Sequence, residues 1–226
     1  MRAKAQAWLA QVAKGDAAIT RQFEAIWKQE GRSALDRLAD TFALGNAEAA
    51  KLLADARNPL VIPPQQVPAL FKDAKQAEFF RANLGLAYAR TLSNRRAHEI
   101  ALDVLKGFRP EQVVEPAGFL FHKAVCEHAL THKDDANKTI ARLIYDAVDS
   151  PERYKTVGAL MLLDMQTWKA KDLGAVGRIM NNIERRLDLV HGGPVTRELQ
   201  KQAVLRLDEL IKELENKAKK QQPGGS

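Results

Sequence analysis

The sequence predicts an all-α protein of stacked antiparallel helical hairpins closed by a C-terminal capping helix. Three observations carry that expectation. Only 13 of 226 residues are Gly and 9 are Pro, and aromatics make up 6%, while the strong helix formers Ala, Leu, Lys and Arg are abundant. Apolar residues recur at spacings of three and four almost throughout, with no run of period-two alternation. Short polar turn signals punctuate the helical stretches at intervals suited to hairpins.

Taken in order, Gly15-Asp16, Gly31 with Ser33, and Gly45-Asn46 each pair a helix stop with an N-cap. The helices that follow carry the apolar stripes Ile19, Phe23, Ile26 and Ala50, Leu53. Residues 58–68 hold four prolines and read as an extended, partly polyproline-like connector. Its Leu60, Val61 and Ile62 are expected to lie on the helical body. Asn94 and Asp134-Asp135 offer side chains to cap the next helices, with stripes Ala97, Ala101, Val104 and Ala136, Ile140, Leu143 behind them. Ser150-Pro151-Glu152 reads as a cap with proline at the first helical position. Asp172 precedes the stripe Val176, Ile179, Ile183, and His191-Gly192-Gly193-Pro194 breaks the chain before Thr196 caps the last helix. About eleven helices result. The expected organisation is a short-helix section over 1–57, the connector 58–68, hairpins over 69–190, an amphipathic helix over 195–220 and a linker-like tail over 221–226. That tail reads as the cut end of a domain from a longer chain.

The last helix places Leu199, Ala203, Leu207, Leu210 and Leu214 on one side, with Val204 and Ile211 on its flank. Its clean spacing lasts about two heptads, short of a coiled coil. A cap on the last hairpin is therefore preferred, with dimerisation through this helix as the alternative to a monomer.

Leu84-Gly85-x-Ala87-Tyr88, followed by Ala97, Leu105 and Pro110, resembles one tetratricopeptide unit. Phe121, Ala124-Val125, His128 and Ala136 resemble a second, and the segment around Trp168 and Asp172 a third. The resemblance spans residues 78–190. It implies an α-solenoid in which the Leu-Gly pair lets two helices approach closely and an alanine sits at the tightest crossing. The units are longer than the family's 34 residues. The stretch Arg185–Thr196 with Leu207–Leu214 is also similar to bacterial proteins without an assigned function. The tetratricopeptide resemblance places Phe79, Asn83, Leu86 and Arg90, then Phe119, His122, Lys123 and Cys126, on a concave face. Asn83 with Arg90 and Lys123 would grip a peptide carboxylate, and Leu86 and His122 complete this peptide-binding groove. The alternative is that these are packing positions.

Sequence signals for chemistry are sparse. His122, Cys126, His128 and His132 share a helix, but at 100° per residue they split into two incomplete pairs, so no metal site is expected. His98-Glu99 has Leu102 where a zinc-protease motif requires a second His. Phosphate loops and nucleophile elbows are absent, and the single cysteine, Cys126, precludes an internal disulfide. No catalytic residue, metal or cofactor is therefore expected. The formal charge is +7 and the sequence pI about 9.5. Arginines gather at Arg90, Arg95, Arg96, Arg109 and again at Arg178, Arg185, Arg186, Arg197. A basic face would attract acidic peptides or nucleic acid. Mixed signs and the lack of aromatics beside the arginines weigh against nucleic acid. The longest apolar run, Gly158–Leu163, is too short for a membrane span. The chain reads as cytoplasmic if complete and as exported if a signal peptide preceded it. The expected function is a non-catalytic scaffold binding a protein or peptide partner. The alternatives are a nucleic-acid-associated basic protein, and an enzyme whose site assembles only in three dimensions.

Overall fold

Helix packs on helix throughout: among the described residues, 1–13 and 16–221 of this computed structural model, there are eleven α-helices, two 3-10 turns and no strand. The expected stop at Gly15 and the tail from 222 onward lie outside those residues. Two compact units divide the chain, Met1–Met161 and Leu162–Ser226. The first holds α1 (Arg2–Ala13), α2 (Ala17–Lys28), α3 (Ala34–Gly45), α4 (Ala47–Arg57), α5 (Glu78–Asn94), α6 (His98–Lys106), α7 (Pro116–Ala129), α8 (Lys133–Tyr145) and the start of α9 (Glu152–Gln166). The second holds the end of α9, α10 (Leu173–Asp188) and α11 (Pro194–Gln221).

In the first unit, α3 packs on α4, α5 on α6 and α7 on α8, while α3, α5 and α7 also touch in that order. An aromatic cluster joins the front helices. Trp8 of α1 stacks on Phe80 of α5 with centroids 4.9 Å apart, and Phe42 of α3 meets both edge-on at 5.0 Å. Gly45 makes that meeting possible. A Cβ there would lie 2.8 Å from Leu9 and from the Trp8 ring, so α1 crosses α3 over a residue without a side chain. Gly45 is the last residue of α3, where the stop was expected, and it also serves close approach. Gly85 plays the same part for the Phe108 ring, whose Cε2 would stand 2.7 Å from an added Cβ. The partner at the Leu84-Gly85 pair is therefore an aromatic ring from the segment after α6.

Local capping follows the sequence at four helix starts. Asp16, Ser33, Asn46 and Asp172 accept hydrogen bonds from the first free amides of α2, α3, α4 and α10. Elsewhere the expectation is corrected. Asn94 is the last residue of α5, and α6 starts without a side-chain cap. Asp134 and Asp135 lie inside the first turn of α8, where they complement the positive helix end by charge alone. The Ser150 hydroxyl is buried and makes no hydrogen bond among the described residues. Thr196 sits within the first turn of α11, where its hydroxyl accepts from Arg186 Nε at 2.8 Å and donates to the His191 carbonyl.

Three interhelical turns are closed by left-handed residues that are not glycine: Arg96 (φ 62°), Thr131 (φ 62°) and Val190 (φ 61°). In each, the following N–H reaches back five positions, Ala97 to Leu92 (2.9 Å), His132 to Glu127 (2.8 Å) and His191 to Arg186 (2.7 Å). This is the Schellman closure of a helix end. It recurs at the same place in the α5–α6 and α7–α8 hairpins.

Residues 58–68 form neither helix nor strand. Leu60 is 89% exposed and Ile62 56% exposed, with Val61 half-buried, so the expected apolar anchoring gives way to a backbone anchor. Arg95 donates to the carbonyls of Asp55 (3.4 Å), Ala56 (2.9 Å), Pro59 (3.3 Å) and Val61 (2.6 Å). The guanidinium holds the strap by its main chain and leaves the Leu60 and Ile62 side chains outward.

Within the second unit, α11 packs on α10 through buried Thr196 and Ala203 and half-buried Leu199 and Leu210. Leu207, expected on the packed side, is 36% exposed, and Leu214 is 64% exposed. Residues 211–220 of α11 are all exposed. Arg178 lies over Trp168, 4.7 Å from the ring centroid, so an arginine of the second sequence cluster is absorbed by this hairpin. Arg185 and Arg186 of that cluster are buried, which corrects the expectation of a basic face there.

Candidate functional site

The five residues expected to form a peptide groove separate into two sets. Asn83 is fully buried: its amide donates to the Phe79 carbonyl (2.8 Å) and its oxygen accepts from Val114 N–H (2.8 Å). Leu86 is 1% exposed. Asn83 ties α5 to the segment before α7 and Leu86 lies in the core, so the carboxylate grip expected of Asn83 is corrected. Phe119 and Cys126 are buried as well, and Phe79 packs on Phe42. Lys123 is committed within the chain, donating to the Glu127 carboxylate (2.5 Å) and the Thr139 hydroxyl (3.0 Å). Arg90 and His122 are different. Both line an open concavity of about 610 Å³.

Asn83→Ala is expected to cost about 1–3 kcal/mol of stability, because the Val114 N–H is left buried without an acceptor. Denaturant titration of the variant checks this.

The concavity is walled by Arg90, Thr91 and Asn94 of α5, Arg95 in the turn after it, Phe121 and His122 of α7, Arg57 at the end of α4, and Arg153 and Tyr154 of α9. Four arginines and no carboxylate face it. Arg90 pairs with Asp36 behind the wall. Burial acts to raise the Asp36 carboxyl, but the hydrogen bond and charge of Arg90, with Ser33 and Arg32, outweigh it and hold the group below the ordinary carboxylate value. Arg57 stands 3.6 Å from Asp40, which also holds Arg32. Arg95 meets carbonyls rather than a carboxylate, so its charge is oriented and not neutralised. Arg153 is exposed and has no ion pair among the described residues.

Phe121 and Tyr154 stack at 4.1 Å with 10° between their planes, and the Arg153 guanidinium stands over the tyrosine ring, 5.1 Å from its centroid. Phe121 and Arg153 thus both engage the Tyr154 ring. Beside this stack His122 is 5% exposed, with Nδ1 3.4 Å from the Ser93 hydroxyl. Burial, and then the charge of Arg90, push its pKa down to about 4. The imidazole is neutral at neutral pH. No group of three His, Cys, Asp or Glu gathers as a metal site among the described residues, and no described helix is long and apolar enough to cross a membrane.

The His122 shift has a signed consequence. The folded protein takes up this proton only near pH 4, whereas an unfolded histidine does so near 6.5. Stability associated with the neutral ring is complete above pH 6.5 and is lost as the pH falls toward 4. Melting temperatures measured across that window should decline in the wild type and decline less in His122→Gln.

The sequence missed Arg57 and Arg153, which lie far from Arg90 and Arg95 along the chain and carry no motif. It also placed Arg96 and Arg109 in the cluster, and neither lines the concavity. No protein-family description matches the chain, and no curated protein or solved structure matches it.

Proposed function

We propose that this protein is a non-catalytic helical-repeat scaffold that binds an acidic segment of a protein partner in the arginine-lined concavity. The observation that carries the reading is the wall itself, four arginines with no carboxylate among the lining residues. Such a surface attracts anionic groups and makes charge-assisted hydrogen bonds to carboxylates. A tetratricopeptide-like solenoid accounts for the setting. Its support is the side-by-side order of α3, α5 and α7, each with its own following helix, and the matching left-handed turns at Arg96 and Thr131. In that arrangement α11 serves as a terminal cap.

Nucleic acid is the competing anion. A single strand binds through bases stacked on open aromatic faces, and the Tyr154 ring beside these arginines is already engaged by Phe121 and by Arg153. The acidic-peptide reading is therefore favoured.

Fluorescence anisotropy of a labelled glutamate-rich peptide against the full chain tests it. Arg57→Glu with Arg153→Glu reverses two charges that the fold uses least. Affinity is expected to fall about tenfold or more, equivalent to about 1.4 kcal/mol. Equal affinity for wild type and double variant would remove the concavity from the proposal. Tighter binding of a single-stranded RNA, with a steep fall in added salt, would favour the nucleic-acid alternative.

A further inference from the structure

A second hollow, of about 490 Å³, adjoins the arginine-lined one and shares Arg153 and Tyr154 with it. Its character is opposite. Val114, Pro116, Ala117 and Pro151 give it apolar walls, and Glu115 and Asp149 contribute carboxylates. Neither carboxylate has an ion pair among the described residues. Glu115 Oε1 accepts the Leu35 N–H at 3.1 Å, a contact that orients the group without cancelling its charge. The remaining acid, Asp146, is met among the described residues by Arg142 at 3.7 Å on the surface.

Apolar walls beside unneutralised carboxylates suit a lysine or arginine side chain. Its methylene stem leaves water along the walls while the cationic head meets the acids. We propose that the two hollows are halves of one bipolar peptide site, with Arg153 and Tyr154 as the partition. Acidic residues of the bound segment lie against Arg57, Arg90 and Arg153, and a lysine or arginine on one side of them enters the second hollow. The charge order across the partition then fixes the direction in which the peptide lies. This inference rests on the acidic-segment reading above and adds to it the composition and polarity of the partner's segment.

The test uses labelled synthetic peptides and the full chain. One peptide is an acidic block alone. Others add a lysine before or after the block through Gly-Ser spacers of increasing length, with leucine in place of lysine as the apolar control. The readout is the affinity ratio between lysine-bearing and lysine-free peptides. One order and one range of spacing should give a gain of about fivefold, the scale of a single exposed ion pair. Leucine should give less. In Glu115→Gln with Asp149→Asn the lysine gain should vanish, and the glutamine oxygen can still accept the Leu35 N–H. A protein that binds the acidic block with the same affinity whether or not lysine is attached overturns the bipolar site and leaves the acidic-segment reading standing. A gain that is equal in both orders, or that survives in the variant, also overturns it. Failure to bind the acidic block at all overturns both.

Discussion

Phe42→Ala is expected to destabilise the Met1–Met161 unit by about 3–5 kcal/mol, the cost of emptying a large aromatic site in a packed core. Phe42 is fully buried and sits against Trp8, Phe79 and Phe80, with centroid distances of 5.0, 5.8 and 5.0 Å. It is the one ring common to all those contacts, joining α1, α3 and α5. Removing it takes away transfer free energy and several edge-to-face contacts together. The surrounding rings come from two other helices, α1 and α5, so they cannot collapse into the space without moving a helix. Urea unfolding followed by circular dichroism measures the loss. Phe42→Leu should recover a large part of it, and Phe79→Ala, at a half-buried ring, should cost distinctly less. Equal costs for Phe42→Ala and Phe79→Ala would show that this cluster is not the centre of the unit.

Lys123→Met should cost about 3 kcal/mol, because it strands the Glu127 carboxylate in the interior. Glu127 is 2% exposed, its Oε1 accepts from Lys123 Nζ, and its Oε2 has no hydrogen-bond partner among the described residues. The lysine side chain is 25% exposed, so the pair lies at the edge of the buried regime and the low end of its range applies. Replacing both members, Lys123→Met with Glu127→Leu, should return most of the stability, since it removes the uncompensated charge as well as the attraction. Comparing the single and double variants by denaturant titration separates this from a simple loss of packing. If the single variant is as stable as wild type, the ion pair contributes nothing. The same variant bears on the groove: Lys123 is bound to Glu127 and Thr139, so its loss should alter stability while acidic-peptide affinity stays put.

The expected groove went wrong for a reason visible at Asn83 and Arg90. The two are seven residues apart on α5 and so share a helix face, which is why one phase placed both in the groove. The segment before α7 returns over one end of that face and takes the Asn83 amide as its anchor through Val114. The other end stays open, and there Arg90 meets Arg57 and Arg153. Helical periodicity reports the face a residue is on. It carries no information about which part of that face another segment will cover.

The turns at Arg96, Thr131 and Val190 were illegible for a related reason. Glycine is the sequence signal for a left-handed residue, and here the tertiary packing imposes that conformation on an arginine and two β-branched side chains. By contrast Asp16, Ser33, Asn46 and Asp172 could be read directly, because a cap needs only a short polar side chain and amides two or three residues away.

What the sequence determined alone is therefore whatever depends on neighbours within a turn or two: helical character, four capped helix starts, the proline break, and the aliphatic stripes that had to be buried. The tertiary structure decided which helices meet over Gly45, which ring packs on Gly85, which end of α5 is closed, and which charges converge. Arg57, Arg90, Arg95 and Arg153 come from three helices and the turn after α5, and only the folded backbone brings like charges from such distant positions around one concavity.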